Sequence, residues 1–236
     1  MTNAIKKPLV MFGDTRSERN IRLLTDRGWG RMFASAPPTP FPFEKWGLDN
    51  GAFKAWQDAG FPGGLTIDDW CILWDADEFD RRLREAAAID SDPYLVVVPD
   101  IPGSPHSLDF SVSWIRDAKL CPVADFRIDW PWYLAVQDGM KFEEVEQVLH
   151  LFSGVFLGGT DKFKLTAYHW AKFAHAHQKK FHYARAGTPR KIRHAFRVGA
   201  DSLDSTFASW TIQRTEELCH VWDGLELQQI LPEVHF

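Results

Sequence analysis

Cysteine is scarce in this chain: Cys71, Cys121 and Cys219 are the whole complement. An odd number at wide spacing builds neither a disulfide framework nor a four-ligand zinc site of Cys-x-x-Cys type. Such usage fits a reducing cytoplasm. Apolar runs stay short of the ~18 residues that cross a bilayer. The opening MTNAIKKPLV lacks the apolar stretch and cleavage site of a secretory signal. Neither a membrane span nor export by that route is therefore expected. Gly-x-Gly-x-x-Gly and Walker A phrases are also missing, which leaves no sequence case for a dinucleotide or triphosphate site. Internal repeats, low-complexity tracts and interdomain linkers are absent, so one domain over residues 1–236 is expected, with a helical C-terminal segment over about 207–236.

What the chain does have is apolar and aromatic bulk. A 45% apolar content with 14% aromatic residues belongs to globular, soluble chains. The eleven tryptophans and eighteen phenylalanines supply surfaces for core packing and for stacking on planar ligands, core packing being the commoner use. A net charge of −5 argues against indiscriminate adhesion to nucleic acid. Clustering works against that average. Arg185, Arg190, Lys191, Arg193, His194 and Arg197 follow closely on Lys179 and Lys180, while acidic residues gather at 68–92 and 143–146. A solvated helix face explains such a cluster as readily as a phosphate-binding one.

Short apolar runs alternate with helical patterns, the signature of an α/β protein with a parallel sheet. Candidate strands are 8–13, 30–35, 45–49, 94–100, 132–137, 154–159, 180–187 and 201–205. Between them lie helical segments: SERNIRLLTDRG, DDWCILWDADEFDRRLREAAAI, SLDFSVSWIRDAKL, FEEVEQVLHLF, LTAYHWAKFAHAHQ and TPRKIRHAFRVG. In the last of these, Thr188 is the N-cap, Pro189 opens the first turn and Gly199 ends it. APPTPFPFEKW is too proline-rich for a helix and reads as a loop. Eight strands with helical crossovers predict a single (β/α)8 barrel of TIM type; a doubly wound open sheet is the structural alternative.

Barrel chemistry sits where the strands end, because eight loops converge there on one mouth. Those ends carry Asp49, Asp100, Gln137, Gly158 with Gly159, Arg185 and Asp204. In chain order the phrases are LDNGAF, VVVPD, AVQDG, FLGGTDK and HYARAGTPRKIRHAFRVGADSLDST. Their order and content resemble the guanine transglycosylases of queuine and archaeosine type, which exchange guanine for a 7-deazaguanine on an eight-stranded barrel. The likeness runs from about residue 46 to 206 and rests on five ordered phrases rather than on any single one.

The resemblance implies roles. Asp49 falls where the family has its general base, and Phe53 where it has a stacking ring, with Asn50 and Ala52 as small departures from the family phrase. Asp100 matches the aspartate that reads the guanine edge. Gln137 matches the amide that faces the base carbonyl, and Gly158 and Gly159 match the glycine pair. Asp204 matches the nucleophile. The basic helix would lie near phosphates flanking the target nucleotide, giving Arg185, Arg190, Lys191, Arg193 and Arg197 as nucleic-acid contacts.

The residue types agree with that chemistry on independent grounds. Glycosidic exchange through a covalent intermediate needs one carboxylate as nucleophile and a second group to move protons. A guanine edge presents one carbonyl and several N–H groups, so a carboxylate, an amide and backbone N–H groups suit it. A base inside a duplex must be flipped out, at a cost of a few kcal/mol that stacking on Phe53 would offset. Strand-end aspartates are also common helix caps and turn formers, and any one of the three alone reads equally well that way.

Departures from the family shape the expectation. Members that act on transfer RNA carry closely spaced cysteines and a histidine for zinc after the last strand; here only Cys219 and His220 stand there, and no added RNA-binding domain follows. The likeness is therefore to the DpdA-like enzymes that place 7-deazaguanines in DNA. DNA, with transfer RNA as the alternative, and a free 7-deazaguanine such as 7-cyano-7-deazaguanine are the expected partners. No metal or cofactor is implied, and a homo-oligomer or accessory protein is compatible with the sequence. Rival readings are a silent barrel that only binds nucleic acid or protein through the 185–197 segment, and a hydrolase that releases the base.

Other signals are discounted. His175 and His177, two apart on a helix, point in nearly opposite directions and share no metal easily. DADEFD reads as a solvated helix start and Trp70, Trp74 and Phe79 as packing surface. His182 either lines the pocket or is a hydrogen-bonded core residue.

Overall fold

A computed structural model describes residues 7–13, 17–35, 37, 43–120, 129–206 and 211–230. Eight parallel strands, β1 (Leu9–Phe12), β2 (Gly30–Phe33), β3 (Trp46–Leu48), β4 (Leu95–Val97), β5 (Trp132–Val136), β6 (Gly154–Leu157), β7 (Lys180–Tyr183) and β8 (Ser202–Ser205), pair in chain order. β8 returns to β1 and closes the barrel. The closed sheet has no free edge, and the open-sheet alternative is excluded.

Strand positions alternate between two cores. Met11, Met32, Leu95, Val97, Tyr133, Ala135, Phe156 and Ala184 form the interior cluster. The other face packs against helices in a larger cluster that holds Trp46, Leu134, Leu157, Tyr183 and Leu203. Eight of the eleven tryptophans are buried, so packing is indeed their main use.

Helices occupy the crossovers: α1 (Glu18–Thr25), α2 (Ala52–Asp58), α3 (Ile67–Leu73), α4 (Ala76–Ala87), α5 (Ser107–Leu120), α6 (Phe142–Val148), α7 (Ala167–Ala176), α8 (Pro189–Arg197) and α9 (Ile212–Ile230). Short 3-10 turns, Leu149–Leu151 and Phe163–Thr166, follow α6 and precede α7. Side-chain caps set several starts. Ser17 accepts from Asn20 N–H, Thr66 and Asp69 form a capping box, and Thr188 accepts from Lys191 N–H ahead of Pro189.

Two differences from the sequence expectation concern the β3–β4 connection. The stretch read as one helix over 68–89 is two, because Asp75 leaves helical geometry and caps α4 by accepting from Glu78 N–H at 2.8 Å. Helix α2 was not anticipated. It starts at Gly51, whose φ of +77° favours glycine and whose added Cβ would lie 3.0 Å from the Arg82 guanidinium. Most of the proline-rich loop, residues 36 and 38–42, lies outside the described residues, as do Cys121 and the ends of the C-terminal segment at 207–210 and 231–236. α9 packs against α1 and α8, pinned by an Arg27–Asp223 ion pair and by Trp29 against Trp222. No helix among the described residues is long and apolar enough to cross a membrane.

Candidate active site

The C-terminal ends of β3 to β7 enclose a cavity of about 240 Å³ floored by Val97, Ala135 and Phe156. It adjoins a groove of about 1110 Å³ that runs along α2 toward the start of α4. Asp49, Phe53 and Arg185 line both, so they stand at the border; Asp100, Gln137, Gly158 and Gly159 line the cavity and Asp204 the groove.

Asp49 follows β3 directly and accepts from Gly51 N–H at 2.7 Å. Its loop is gripped from behind by Arg82 of α4, which is 4% exposed. The Arg82 guanidinium donates to the carbonyls of Ala34, Asp49 and Asn50, and Trp74 Nε1 donates to that of Asn50 as well. Burial raises the Asp49 carboxyl above the usual range; the Gly51 N–H opposes this and the Asp204 charge adds to it.

Asp100 is buried with both oxygens engaged. Asn50 Nδ2 donates to Oδ1 at 2.7 Å and Gln137 Nε2 to Oδ2 at 3.1 Å. Burial pushes its carboxyl up to about 7, against the Asn50 hydrogen bond and with help from the Asp49 charge. The Gln137 amide is spent on the protein: Nε2 also reaches Ile101 O and Ser107 Oγ, and Oε1 accepts from Gly103 N–H. Asn50 and Gln137 thus hold the carboxylate that faces the cavity.

Gly159 has φ +68°, and a Cβ there would lie 2.6 Å from the Phe163 ring and 2.8 Å from Asp138 Oδ2. Only glycine fits that bend. Gly158 N–H donates to Val136 O, whereas Gly159 N–H has no acceptor among the described residues and so remains available to a ligand.

Arg185, a non-glycine residue at φ +53°, turns back over the mouth. Its guanidinium lies 3.9 Å from the Phe53 ring centroid and donates to Gly159 O, forming a stacked plate where cavity meets groove. Its backbone N–H donates to Asp204 Oδ1 at 2.9 Å. His182 Nε2 lies 2.9 Å from the same oxygen. Burial works against the Asp204 charge, but the His182 contact, the Arg185 N–H and the nearby Lys164 ammonium outweigh it and hold the carboxyl below its ordinary value.

Lys164, on the 3-10 turn before α7, is 2% exposed and donates to Ala184 O. Burial, with Arg185 nearby, lowers its ammonium to about 7. It braces the loop that delivers Arg185 to Asp204. In the sequence it is one lysine among several polar residues in TDKFKLT, with nothing to single it out.

The basic α8 does not present one face. Lys191 Nζ pairs with Asp161 at 2.7 Å, and Arg193 lines a separate depression with Glu216 and Glu217 of α9. Arg190 and Arg197 are exposed. His175 and His177 pair with Asp201 and Glu146 respectively, and no group of three or more His, Cys, Asp or Glu among the described residues is arranged to hold a metal ion.

This arrangement defines a TIM-type barrel with three carboxylates converging on its C-terminal mouth. No protein-family model matches the chain, and no curated protein matches it.

Proposed function

We propose that the protein is a guanine transglycosylase that exchanges guanine in DNA for a 7-deazaguanine through a covalent Asp204–glycosyl intermediate. The observation that carries this reading is the division between two carboxylates at one mouth. Asp204 is held ionised by its donors, while Asp49 is pushed by burial toward the protonated form. Environments that drive two carboxyls apart assign one to nucleophilic and the other to proton-transfer work.

In this account Asp204 attacks the sugar anomeric carbon, the glycosidic bond breaks, and guanine leaves with the electron pair and takes up the proton held by Asp49, which leaves Asp49 ionised for the second half. The incoming 7-deazaguanine then loses its ring N–H proton to Asp49 and attacks the same carbon, releasing Asp204. The cavity supplies the recognition. Asp100 offers acceptor oxygens to the ring and exocyclic N–H groups of a guanine edge, and Gly159 N–H is a donor for its carbonyl. The Phe53–Arg185 plate stacks on the extruded base. The exposed Arg190, on the first turn of α8, would meet a backbone phosphate, whereas Arg197 stands at the far end of that helix.

The test is release of radiolabelled guanine from DNA and from transfer RNA in the presence of 7-cyano-7-deazaguanine. Release from DNA with incorporation of the deazaguanine is expected. Release from transfer RNA alone would move the substrate while keeping the mechanism, and release without incorporation would make the protein a hydrolase. Binding without release would leave a non-catalytic barrel.

A further inference from the structure

Behind Asp204 the barrel wall holds a histidine for which the exchange above has no role. His182 on β7 is fully buried and stands beside Ser202 in the β7–β8 ladder. Its Nδ1 lies 2.8 Å from Ser202 Oγ and its Nε2 2.9 Å from Asp204 Oδ1. The ring lies flat on Phe156, 4.7 Å between centroids and 3° between planes. Held at both nitrogens and on one face, it has a single orientation.

An ionised carboxylate can only accept, so Nε2 carries a proton; in a neutral ring Nδ1 is then the acceptor for the Ser202 hydroxyl. Arg185 N–H supplies a second donor to the same carboxylate oxygen. Asp204 Oδ1 is thereby tied down twice, while Oδ2 takes no donor among the described residues.

Resting on the transglycosylase reading, we infer that His182, oriented by Ser202, is the positioning residue of the nucleophile: it immobilises Oδ1 and leaves Oδ2 as the oxygen that attacks the sugar. In the first half-reaction the Oδ2–carbon bond forms, the carbon–nitrogen bond to guanine breaks, and the electron pair departs with the base, where it takes the Asp49 proton. The His182 proton stays on Nε2, and Oδ1 becomes the ester carbonyl oxygen. In the second half the nitrogen of the incoming base forms the new bond, the Oδ2–carbon bond breaks, and its pair returns to the carboxylate. His182 and the Arg185 N–H bind that returning charge more strongly than they bind the ester, which favours the departure of Asp204.

The charged and titratable groups facing Asp204 are His182 on β7, Arg185 in the loop after it, Lys164 before α7 and Asp49 after β3. Of these only His182 and the Arg185 backbone donate to its carboxylate. Replacing His182 therefore raises the pH below which Asp204 loses its charge, an effect separated from the Asp100 carboxyl by reading kcat at saturating base.

Two measurements on the full chain decide the matter. Nitrogen-15 NMR of histidine-labelled protein at neutral pH is expected to show a proton on His182 Nε2, the nitrogen that faces Asp204. A ring whose Nε2 carries no proton would overturn the inference whatever the activity. In the exchange assay, His182→Phe is expected to lower kcat roughly 10- to 100-fold, the equivalent of one hydrogen bond to a charged group, with KM unchanged. The acid limb of its rate profile is expected to move up by about one pH unit. His182→Gln, whose amide nitrogen can take the place of Nε2, is expected to restore most of the rate. Equal loss in both folded variants, or an unmoved acid limb, would reduce His182 to a packing residue. Should the wild-type protein exchange no base at all, the transglycosylase reading falls by itself, and the tautomer measurement alone decides the positioning role.

Discussion

Asp204→Asn is expected to stop base exchange, with a loss of roughly four orders of magnitude or more, while the barrel still folds. The amide oxygen can accept from His182 Nε2 and Arg185 N–H as Oδ1 does, so the local hydrogen bonds at 2.9 Å survive the change. What disappears is the anionic oxygen at the sugar carbon, for which no neighbour substitutes. Asp49, the other carboxylate lining the groove, is driven by burial toward its protonated form and is a poor replacement nucleophile. Asp49→Asn should cost less, roughly 10²- to 10⁴-fold, as expected for lost proton transfer. Single-turnover exchange with a melting curve for each variant checks both. If Asp204→Asn kept more than about a hundredth of the wild-type rate, or if Asp49→Asn alone were inert, the two roles would be wrongly assigned.

Base binding is expected to strengthen as pH rises through about 7 and then level off, because Asp100 must be ionised to accept from the guanine edge and its carboxyl is pushed up to about 7. Asp100→Asn should weaken binding of free guanine and of 7-cyano-7-deazaguanine roughly 10³-fold or more and remove the pH dependence. Its amide would present a donor to a donor, and buried mismatches of that kind discriminate strongly. The linked effect on stability has the opposite sign. Between about 4 and about 7 the folded ligand-free protein retains a proton on Asp100 that the unfolded chain has lost, so the contribution of Asp100 to stability falls as pH rises across that window. Asp204, held below its ordinary value, behaves conversely: its contribution is present above that ordinary value and is lost as pH falls through the folded one. Calorimetric titration of the free bases from about pH 5.5 to 8.5 reads the first effect. Affinity that is flat in pH, or that falls as pH rises, would remove Asp100 from recognition.

Much of the architecture was legible because strands buried on both faces read as unbroken apolar runs, and runs such as YLVVV and GVFL leave little choice. The polar residues that interrupt them were legible for the same reason: Asp49, Asp100 and Gln137 stand where apolar runs stop. Helix α2 escaped notice because AFKAWQD is short and Gly51 provides no side-chain cap. The break between α3 and α4 escaped because Trp70, Trp74 and Phe79 continue an apolar helical spacing across it, while Asp75 quietly caps the second helix. Arg82 in RRLRE looks like any arginine of a charged helix; only the chain path shows its guanidinium turned inward onto three carbonyls. His182 was open to two readings, and it is both buried in the core and bonded to Asp204, a pairing set by the β7–β8 register and invisible in either strand alone. The basic run between 185 and 197 is dense in sequence but does not share one face in the fold. A helix turns each side chain about 100° from the last, which sends Lys191 to Asp161 and Arg193 toward the acidic side chains of α9.

The central claim is a covalent bond between Asp204 and a nucleoside sugar. The most direct measurement is the mass of the protein after denaturing quench with a guanine-containing DNA oligonucleotide, followed by peptide mapping. An adduct on the peptide containing Asp204, absent from Asp204→Asn and discharged by added 7-deazaguanine, is the predicted result. Base exchange without any adduct, or an adduct on Asp49, would contradict the account.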